Sequence, residues 1–330
     1  MSGVNQKMNN FRKIWGIEVR TKYFIHILAC LLAISVLIFS LLIIGEKSLD
    51  KKDASSATET LNSFQKINLE AKSVVVWDVI NNRELFSKNP DMPLPLASLT
   101  KILTAIVINE KLNDDQKIKI TKEDLGPEGD SKLIVGDVWQ VRELRDFTLF
   151  TSSNDGAFAL AAVAETENNP VVENQSIGKE GFRIQFIKEM NDTASMVGLS
   201  NSRFFNEHGL DREADKGGAY GSAKDMTALF EYTLKNYPEI LEATRYKNLE
   251  FRSVEKKYSA ENTNTFIDKI PNIIASKTGF TDLAGGNLVI AFDTGLNRPI
   301  IISVLGSTEE GRFSDVLQLV EATIKYIHDN

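Results

Sequence analysis

One cysteine, Cys30, and three histidines are all that this 330-residue chain carries of the residues most used for covalent staples and transition-metal sites. A single thiol excludes an internal disulfide framework and any site built from several cysteines. His26 lies in an apolar run and His328 almost at the C-terminus, so only His208 is placed like a domain residue. A His-rich zinc site is therefore hard to assemble, and a Ser-His-Asp hydrolase would have to depend on His208 alone. That scarcity points any serine enzyme here to lysine as its base, with no metal or other cofactor called for. No basic tract is present, and a net charge of −7 argues against a nucleic-acid partner. Eight prolines, 20 glycines, 42% hydrophobic and 25% charged residues make an ordinary globular composition, enough for one large domain or two small ones.

Long apolar runs are also scarce, with one exception. Residues 1–22 hold five cations against one anion, and residues 23–44 are then almost wholly apolar. As a helix this run is about 33 Å long, enough to cross a bilayer core of about 30 Å. Basic charge before it and acidic charge after it predict a cytoplasmic N-terminus and an extracellular or periplasmic remainder. A cleaved signal peptide fits less well: the run is too long, and Gly45-Glu46-Lys47-Ser48 offers no small-x-small site. Cys30 sits early in the run, where a thiol among apolar side chains is the simpler account than a lipid attachment site. The expected organisation is a basic tail over 1–22, a transmembrane anchor over 23–45, a polar stalk over 46–70 and a catalytic domain over 71–330.

Within that domain, Ser73-Val74-Val75-Val76-Trp77-Asp78-Val79 predicts a buried strand, Asn81-Asn82 a tight turn, and Glu84-Leu85-Phe86 a returning strand. Residues 112–266 read mostly as helices and loops, with helices near 144–150, 156–164, 182–190 and 223–234. Residues 273–279, 287–292 and 299–305 predict three more strands, with a turn at Gly295-Leu296-Asn297, and 312–328 shows helical periodicity. If the strands at the two ends pair, the fold is α/β of the α+β type. It is then a five-stranded antiparallel sheet flanked by helices, with the helical block as a second lobe and a cleft between.

The chemistry is concentrated in one stretch, Pro93-Leu94-Pro95-Leu96-Ala97-Ser98-Leu99-Thr100-Lys101, followed by the apolar run Ile102, Leu103, Ala105, Ile106, Val107 and Ile108. The prolines halt extended chain and the run predicts a buried helix. Ser98 and Lys101, three residues apart, then project from one face at its first turn. The lysine can take the hydroxyl proton, and free N–H groups at the helix start can hold an oxyanion. Ser-x-x-Lys also occurs at Ser48, Ser63, Ser176 and Ser253, but none of these opens an apolar helix. Two further motifs follow in order, Ser152-Ser153-Asn154 and Lys277-Thr278-Gly279. Ser-x-Asn alone is weak, since Ser87-Lys88-Asn89 matches it; Lys-Thr-Gly occurs once. The ordered triplet, each member in its expected context, is the one found in penicillin-binding proteins and serine β-lactamases.

With Ala97-Ser98-Leu99-Thr100-Lys101, Ser153-Asn154-Asp155, Phe205-Asn206-Glu207-His208-Gly209-Leu210-Asp211 and Lys277-Thr278-Gly279-Phe280-Thr281 in hand, the chain from about 73 to 326 resembles a known family. It is similar to the low-molecular-weight penicillin-binding proteins, serine-type D-Ala-D-Ala carboxypeptidases of β-lactamase/transpeptidase-like fold. The resemblance implies that Ser98 attacks the bond between two D-alanines of a peptidoglycan stem peptide and forms an acyl-enzyme. It implies Lys101 as base, Ser152 as proton relay, and Asn154 as a partner of Lys101 and of the substrate amide. Lys277 and Thr278 would bind the terminal carboxylate, Gly279 would let the substrate approach, and the N–H groups of Ser98 and Phe280 would form the oxyanion hole. β-Lactams would be covalent inhibitors. His208 falls in a segment that is structural in that family.

Three other readings use the same residues: a D,D-endopeptidase on cross-links, a β-lactam-acylated membrane sensor, and a β-lactamase. Residues 1–22 are short for a signalling output. Glu165 and Glu167 lie where a deacylating glutamate would be sought, but Glu165-Thr166-Glu167-Asn168-Asn169 lacks the Glu-x-x-Leu-Asn pattern of class A enzymes. Charged stretches near 173–180 and 250–261 are expected to be insertions that reshape the cleft.

Overall fold

Four consecutive buried residues, Ser73 to Val76, begin the first strand, β1 (Ser73–Asp78); β2 (Arg83–Lys88) returns beside it through a turn in which Asn82 takes a φ of 49°. The computed structural model describes residues 63–65, 67–129, 132–166, 179–295 and 297–330. The tail, the apolar run and the first part of the stalk expected from the sequence lie outside these residues, as do Glu167, residues 173–178 and Leu296.

After β2 come β3 (Leu94–Pro95), a 3₁₀ turn at Ala97–Leu99, and helix α1 (Thr100–Lys111). Strands β4 (Lys117–Lys119) and β5 (Val138–Gln140) lead to helices α2 (Val141–Thr151), α3 (Asn154–Thr166) and α4 (Lys179–Val197). Then follow β6 (Arg203–Phe204), β7 (Ala219–Gly221), α5 (Ala223–Asn236), α6 (Pro238–Glu242), and the hairpin β8 (Asn248–Arg252) and β9 (Lys257–Glu261). The chain closes with β10 (Ile273–Thr281), β11 (Gly285–Asp293), β12 (Pro299–Ser307) and α7 (Gly311–Asp329).

The strands from the two ends do pair. β1 lies antiparallel to β12, and the main sheet runs β10–β11–β12–β1–β2, antiparallel throughout. Because side chains alternate across a strand, each central strand feeds two cores. Val74, Val76, Leu288, Ile290, Ile302 and Val304 face α7, with Phe313, Val316, Leu319 and Val320 opposite. Val75, Val289, Ala291, Ile301 and Leu305 belong to the other core, which extends into the helical lobe. A fully buried aliphatic side chain of this kind stabilises by about 1.5–3 kcal/mol. α5 is fixed to that second face by a 2.7 Å bond between the hydroxyls of Thr227 and Ser303. Its start is capped by Ser222, whose Oγ accepts the Asp225 N–H.

α1 is buried from Thr100 through Ile108, nine residues in a row. A helix with no solvent face is a central one, and here it takes Lys101 into the interior with it.

Two expectations need revision. The block 112–266 is not only helices and loops: β4 pairs with β5, β7 with β3 and β6, and β8 with β9. These strands are two to five residues long, too short to leave a clear alternation in the sequence. Most of the stretch 250–261, expected to be a charged insertion that reshapes the cleft, forms the β8–β9 hairpin beside a groove; its inner residues pack, with Tyr258 4.7 Å from Trp139 and Phe251 5.5 Å from Phe147 between ring centroids. The end of the presumed stalk is also docked. Phe64 stacks on Phe86 at 5.0 Å, and the Asp315 carboxylate accepts the N–H groups of Glu70 and Ala71.

Asn287 of β11 ties the sheet to the chain before Ser98. Its fully buried amide donates to Pro95 O (3.0 Å) and Leu96 O (3.1 Å) and accepts from Gly306 N (2.8 Å). Asn287→Ala removes all three bonds and leaves the buried Gly306 N–H without this acceptor, a group worth about 1–3 kcal/mol when unpaired, while Leu96 O keeps the Leu99 N–H. Urea denaturation followed by tryptophan fluorescence should show a loss of about 2–4 kcal/mol; a variant as stable as the parent would contradict this role.

Candidate active site

β10 is the outer strand of the main sheet, and the 3₁₀ turn carrying Ser98 lies against it. The approach is close: a Cβ added at Gly279 would lie 2.9 Å from Leu96 O and 3.1 Å from Ser98 N. Only glycine admits the turn at that distance. The turn itself is unusual, since Ala97 has a φ of +48°. Thr100 Oγ1 donates to Ala97 O at 2.7 Å, and Gly209 lies over the same carbonyl, where a Cβ would meet it at 2.0 Å. Thus Thr100 and Gly209, both inside the sequence motifs, hold the strained backbone that presents Ser98.

Lys101 is 1% exposed. Its Nζ donates to Ser98 Oγ (2.9 Å), Asn154 Oδ1 (2.7 Å) and His208 O (2.7 Å), which uses its three donor directions. Burial, and then the charge of Lys277, hold it well below the ordinary lysine range, against an upward pull from Glu207. An amine so placed spends part of its time neutral and beside a hydroxyl, which is what a general base requires.

Ser152 ends α2 in the left-handed region, φ 62°, and Asn154 begins α3, so the middle motif is a bend between two helices. That bend aims Ser152 and Asn154 differently. Ser152 Oγ accepts from Lys277 Nζ at 2.9 Å. Asn154 gives Oδ1 to Lys101, and its Nδ2 donates to Glu128 O at 2.6 Å. One of the two Nδ2 hydrogens therefore holds the 128 loop and the other remains for a substrate carbonyl.

Lys277 is also 1% exposed, donates to Thr278 O at 2.8 Å, and is pushed down to about 7 by burial and then by Arg312. Thr278 Oγ1 lies 2.6 Å from Thr263 Oγ1. Two hydroxyls and an amine, from Ser152, Thr278 and Lys277, thus converge where a carboxylate could sit.

The three motifs come together as expected. His208 is a buried loop residue: its Nδ1 accepts Leu210 N at 3.1 Å, and burial, then the nearby cations, lower it to about 3, so the ring is neutral. Only its backbone carbonyl touches the base. Glu165 is held by Lys111 at 2.6 Å in a pair shared with Glu189 (2.5 Å). Residues missed from the sequence are Thr263, Asn287 and Arg312. Arg312 Nη1 donates to Gly279 O at 2.9 Å, and its guanidinium lies 4.7 Å from the Phe313 ring centroid and 5.8 Å from that of Phe280. Each is far in sequence from the motif it supports; only Arg312, a cation beside Phe313 at the start of an apolar helix, left any signal.

A family model described as D-alanyl-D-alanine carboxypeptidase matches residues 58–309. The chain is 30% identical over 292 residues to D-alanyl-D-alanine carboxypeptidase DacF of Bacillus subtilis, covering 86% of this chain and 70% of the relative. It is 32% identical over 246 residues to a D-alanyl-D-alanine endopeptidase of Pseudomonas aeruginosa, covering 72% and 71%. Among solved structures, penicillin-binding protein D2 of Listeria monocytogenes with ampicillin bound is similar at a TM-score of 0.65 and 28% identity, covering 78% of this chain and 98% of that one. With a base-serine pair, a hydroxyl-amine pair and a glycine edge all in the order the family requires, this chain belongs to the D-alanyl-D-alanine carboxypeptidase family of serine peptidases.

Proposed function

We propose that Ser98 is the nucleophile of a D,D-carboxypeptidase acting on peptidoglycan stem peptides, with Lys101 as its base. The observation that carries this is the buried Lys101 amine, 2.9 Å from Ser98 Oγ and depressed in basicity by its surroundings. The substrate's terminal carboxylate binds Lys277, Thr278 and Ser152. Its scissile carbonyl oxygen points to the N–H groups of Ser98 and Phe280 on the outer strand. The Ser98 proton passes to neutral Lys101 as the Oγ–C bond forms and the carbonyl electrons move to oxygen. On collapse the C–N bond breaks, and the departing D-alanine amine takes the proton from Lys101 through Ser152, which leaves Lys101 neutral again. Asn154 holds Lys101 and the acyl amide. Water then attacks the ester as Lys101 accepts its proton; the Oγ–C bond breaks, Ser98 Oγ takes that proton back from Lys101, and the shortened peptide leaves.

Penicillin, a mimic of the acylated D-Ala-D-Ala unit, is expected to acylate Ser98, in keeping with the ampicillin-bound relative. A second reading, cleavage of cross-links, has one observation in its favour: a groove of about 980 Å³ runs from Ser152, Ser153 and Asn154 along the β8–β9 hairpin. A single leaving D-alanine does not fill that space. For location, the basic residues 1–22 and the apolar run 23–44 support a single-pass membrane anchor with the catalytic domain outside. Among the described residues no helix is long and apolar enough to cross a membrane, and residues 23–44 lie outside them. Extraction of the full chain from membranes only by detergent, not by alkaline carbonate, would support the anchor.

Purified protein is incubated with fluorescent penicillin and, separately, with a peptide ending in D-Ala-D-Ala. Parent protein should label and release D-alanine, and Ser98→Ala should do neither. Labelling of Ser98→Ala equal to the parent would overturn the assignment. D-Alanine release without cleavage of a cross-linked dimer would favour the carboxypeptidase; the reverse would favour the second reading. Ser152→Ala should lower kcat by about 10²–10⁴-fold, the usual contribution of a positioned proton donor.

The two lysines set opposite limbs of the pH profile. Lys101 must be neutral, so kcat/KM falls as pH drops through its lowered value. Lys277 must be protonated to bind the carboxylate, so kcat/KM also falls as pH rises through about 7. Bound carboxylate stabilises the Lys277 ammonium, so kcat should hold to higher pH than kcat/KM. Coincident alkaline limbs would contradict that role for Lys277.

A further inference from the structure

Next to the base lies a charged group that the mechanism above does not use. Glu207 is completely buried. Its Oε2 accepts from Arg183 Nε at 3.3 Å, while its Oε1 is buried without a hydrogen-bond partner among the described residues. His208 Nε2 lies 3.6 Å from Oε1. Because His208 Nδ1 accepts the Leu210 N–H, the proton of the neutral ring sits on Nε2 and points toward that oxygen. The backbone on either side of this side chain grips α1. Glu207 O accepts from Thr104 Oγ1 at 2.7 Å, and His208 O accepts from Lys101 Nζ at 2.7 Å. One short loop thus supplies a carbonyl to the base and a carboxylate close behind it.

A buried carboxylate with an incomplete set of partners is expensive to keep. It needs a reason, and the reaction supplies one. When Ser98 gives its proton to Lys101, an ammonium forms in a dry site that already holds Lys277, whose own neighbour is Arg312. The charged groups facing this spot are Lys101 on α1, Lys277 on β10, and Arg183 on α4; the neutral His208 adds no charge. Glu207 is the one carboxylate among them: burial raises its carboxyl above the ordinary range, and Arg183 and then Lys101 pull it back toward the charged form.

We propose that Glu207 is a positioning residue of the reaction. Its carboxylate, clamped by Arg183 and aimed at His208, fixes the loop whose carbonyl holds Lys101 and is the counter-charge to the ammonium that forms there. This parallels the carboxylate behind the imidazole of a Ser-His-Asp triad, which orients the base and stabilises its protonated form without taking the proton. The inference rests on Lys101 acting as the base.

The test is the pH dependence of acylation by a fluorescent penicillin in Glu207→Gln, which keeps the side-chain volume and an acceptor for Arg183. Removing the anion weakens the base. The acid limb should move down by about one pH unit, and the plateau rate should fall several-fold, at most about tenfold. A merely structural Glu207 would leave the limb where it is in the parent, and an unmoved limb or one moved upward overturns the proposal. The double variant Arg183→Met with Glu207→Gln has no unpaired buried charge, so it guards against a folding failure of the single one. It should show a downward shift smaller than that of the single variant, because the Arg183 charge is lost with the Glu207 charge. Failure of both variants to melt cooperatively would make the pair a structural bridge and overturn the proposal as well. Ser98→Ala, run alongside, separates the outcomes: if it still labels, the nucleophile assignment has failed; if it does not and the limb is unmoved, only the role of Glu207 has.

Discussion

Two primary amines buried in one dry cleft are the constraint on which the rest of this structure depends. Taking a lysine out of water disfavours its charged form strongly, and placing a second beside it disfavours it further. The fold meets that cost with acceptors set in place before any substrate arrives. Lys101 has a hydroxyl, an amide oxygen and a backbone carbonyl; Lys277 has a hydroxyl and a backbone carbonyl. These five acceptors come from four separate parts of the chain. α1 is surrounded on all sides because Lys101 must be in the interior, and α2, α3, the 206–210 loop and β10 are held around it.

The sheet serves the same end. Its outer strand carries Lys277, Thr278 and Gly279, and an outer strand has one unpaired edge with which an extended peptide can pair. Ser98 is brought against that edge by an alanine in an unfavourable backbone region, so the turn must be over-determined from outside. Thr100 holds it from below, Gly209 covers it, and Asn287 ties the preceding residues to β11 and β12. Arg312, from the last helix, holds the Gly279 carbonyl from behind. The nucleophile, the strand and the terminal helix are therefore one unit, which explains why the strands from both ends of the domain have to pair.

Much of this could be read beforehand. Four of the five main strands were visible as runs rich in β-branched residues, β2 as the return after the Asn81-Asn82 turn, and α1 as an apolar run, because burial on both sides leaves an apolar record. The three motifs were visible because their chemistry uses rare combinations at fixed spacing. The small strand pairs were not, since strands of two to five residues leave no such record. The hairpin at 248–261 illustrates the point: its charged outer residues mask Phe251 and Tyr258, which are placed by Trp139 and Phe147 more than a hundred residues earlier.

By itself the sequence determined which groups could react: Ser98 and Lys101 stand one helical turn apart, so their contact at 2.9 Å is local and follows from the helix alone. It also left His208 as the one domain histidine that could stand in for that lysine, and the structure turns only its backbone carbonyl to the base. Only the tertiary structure decided what those groups are worth. That Lys101 loses basicity, that Lys277 meets Ser152, that Asn154 divides its amide between the base and Glu128, and that Arg183 clamps Glu207 depend on contacts across 24 to 125 residues. The reason is physical. A hydrogen bond within a turn is fixed by backbone geometry, whereas burial and the field of a distant charge exist only once the sheet and the helical lobe have closed around them.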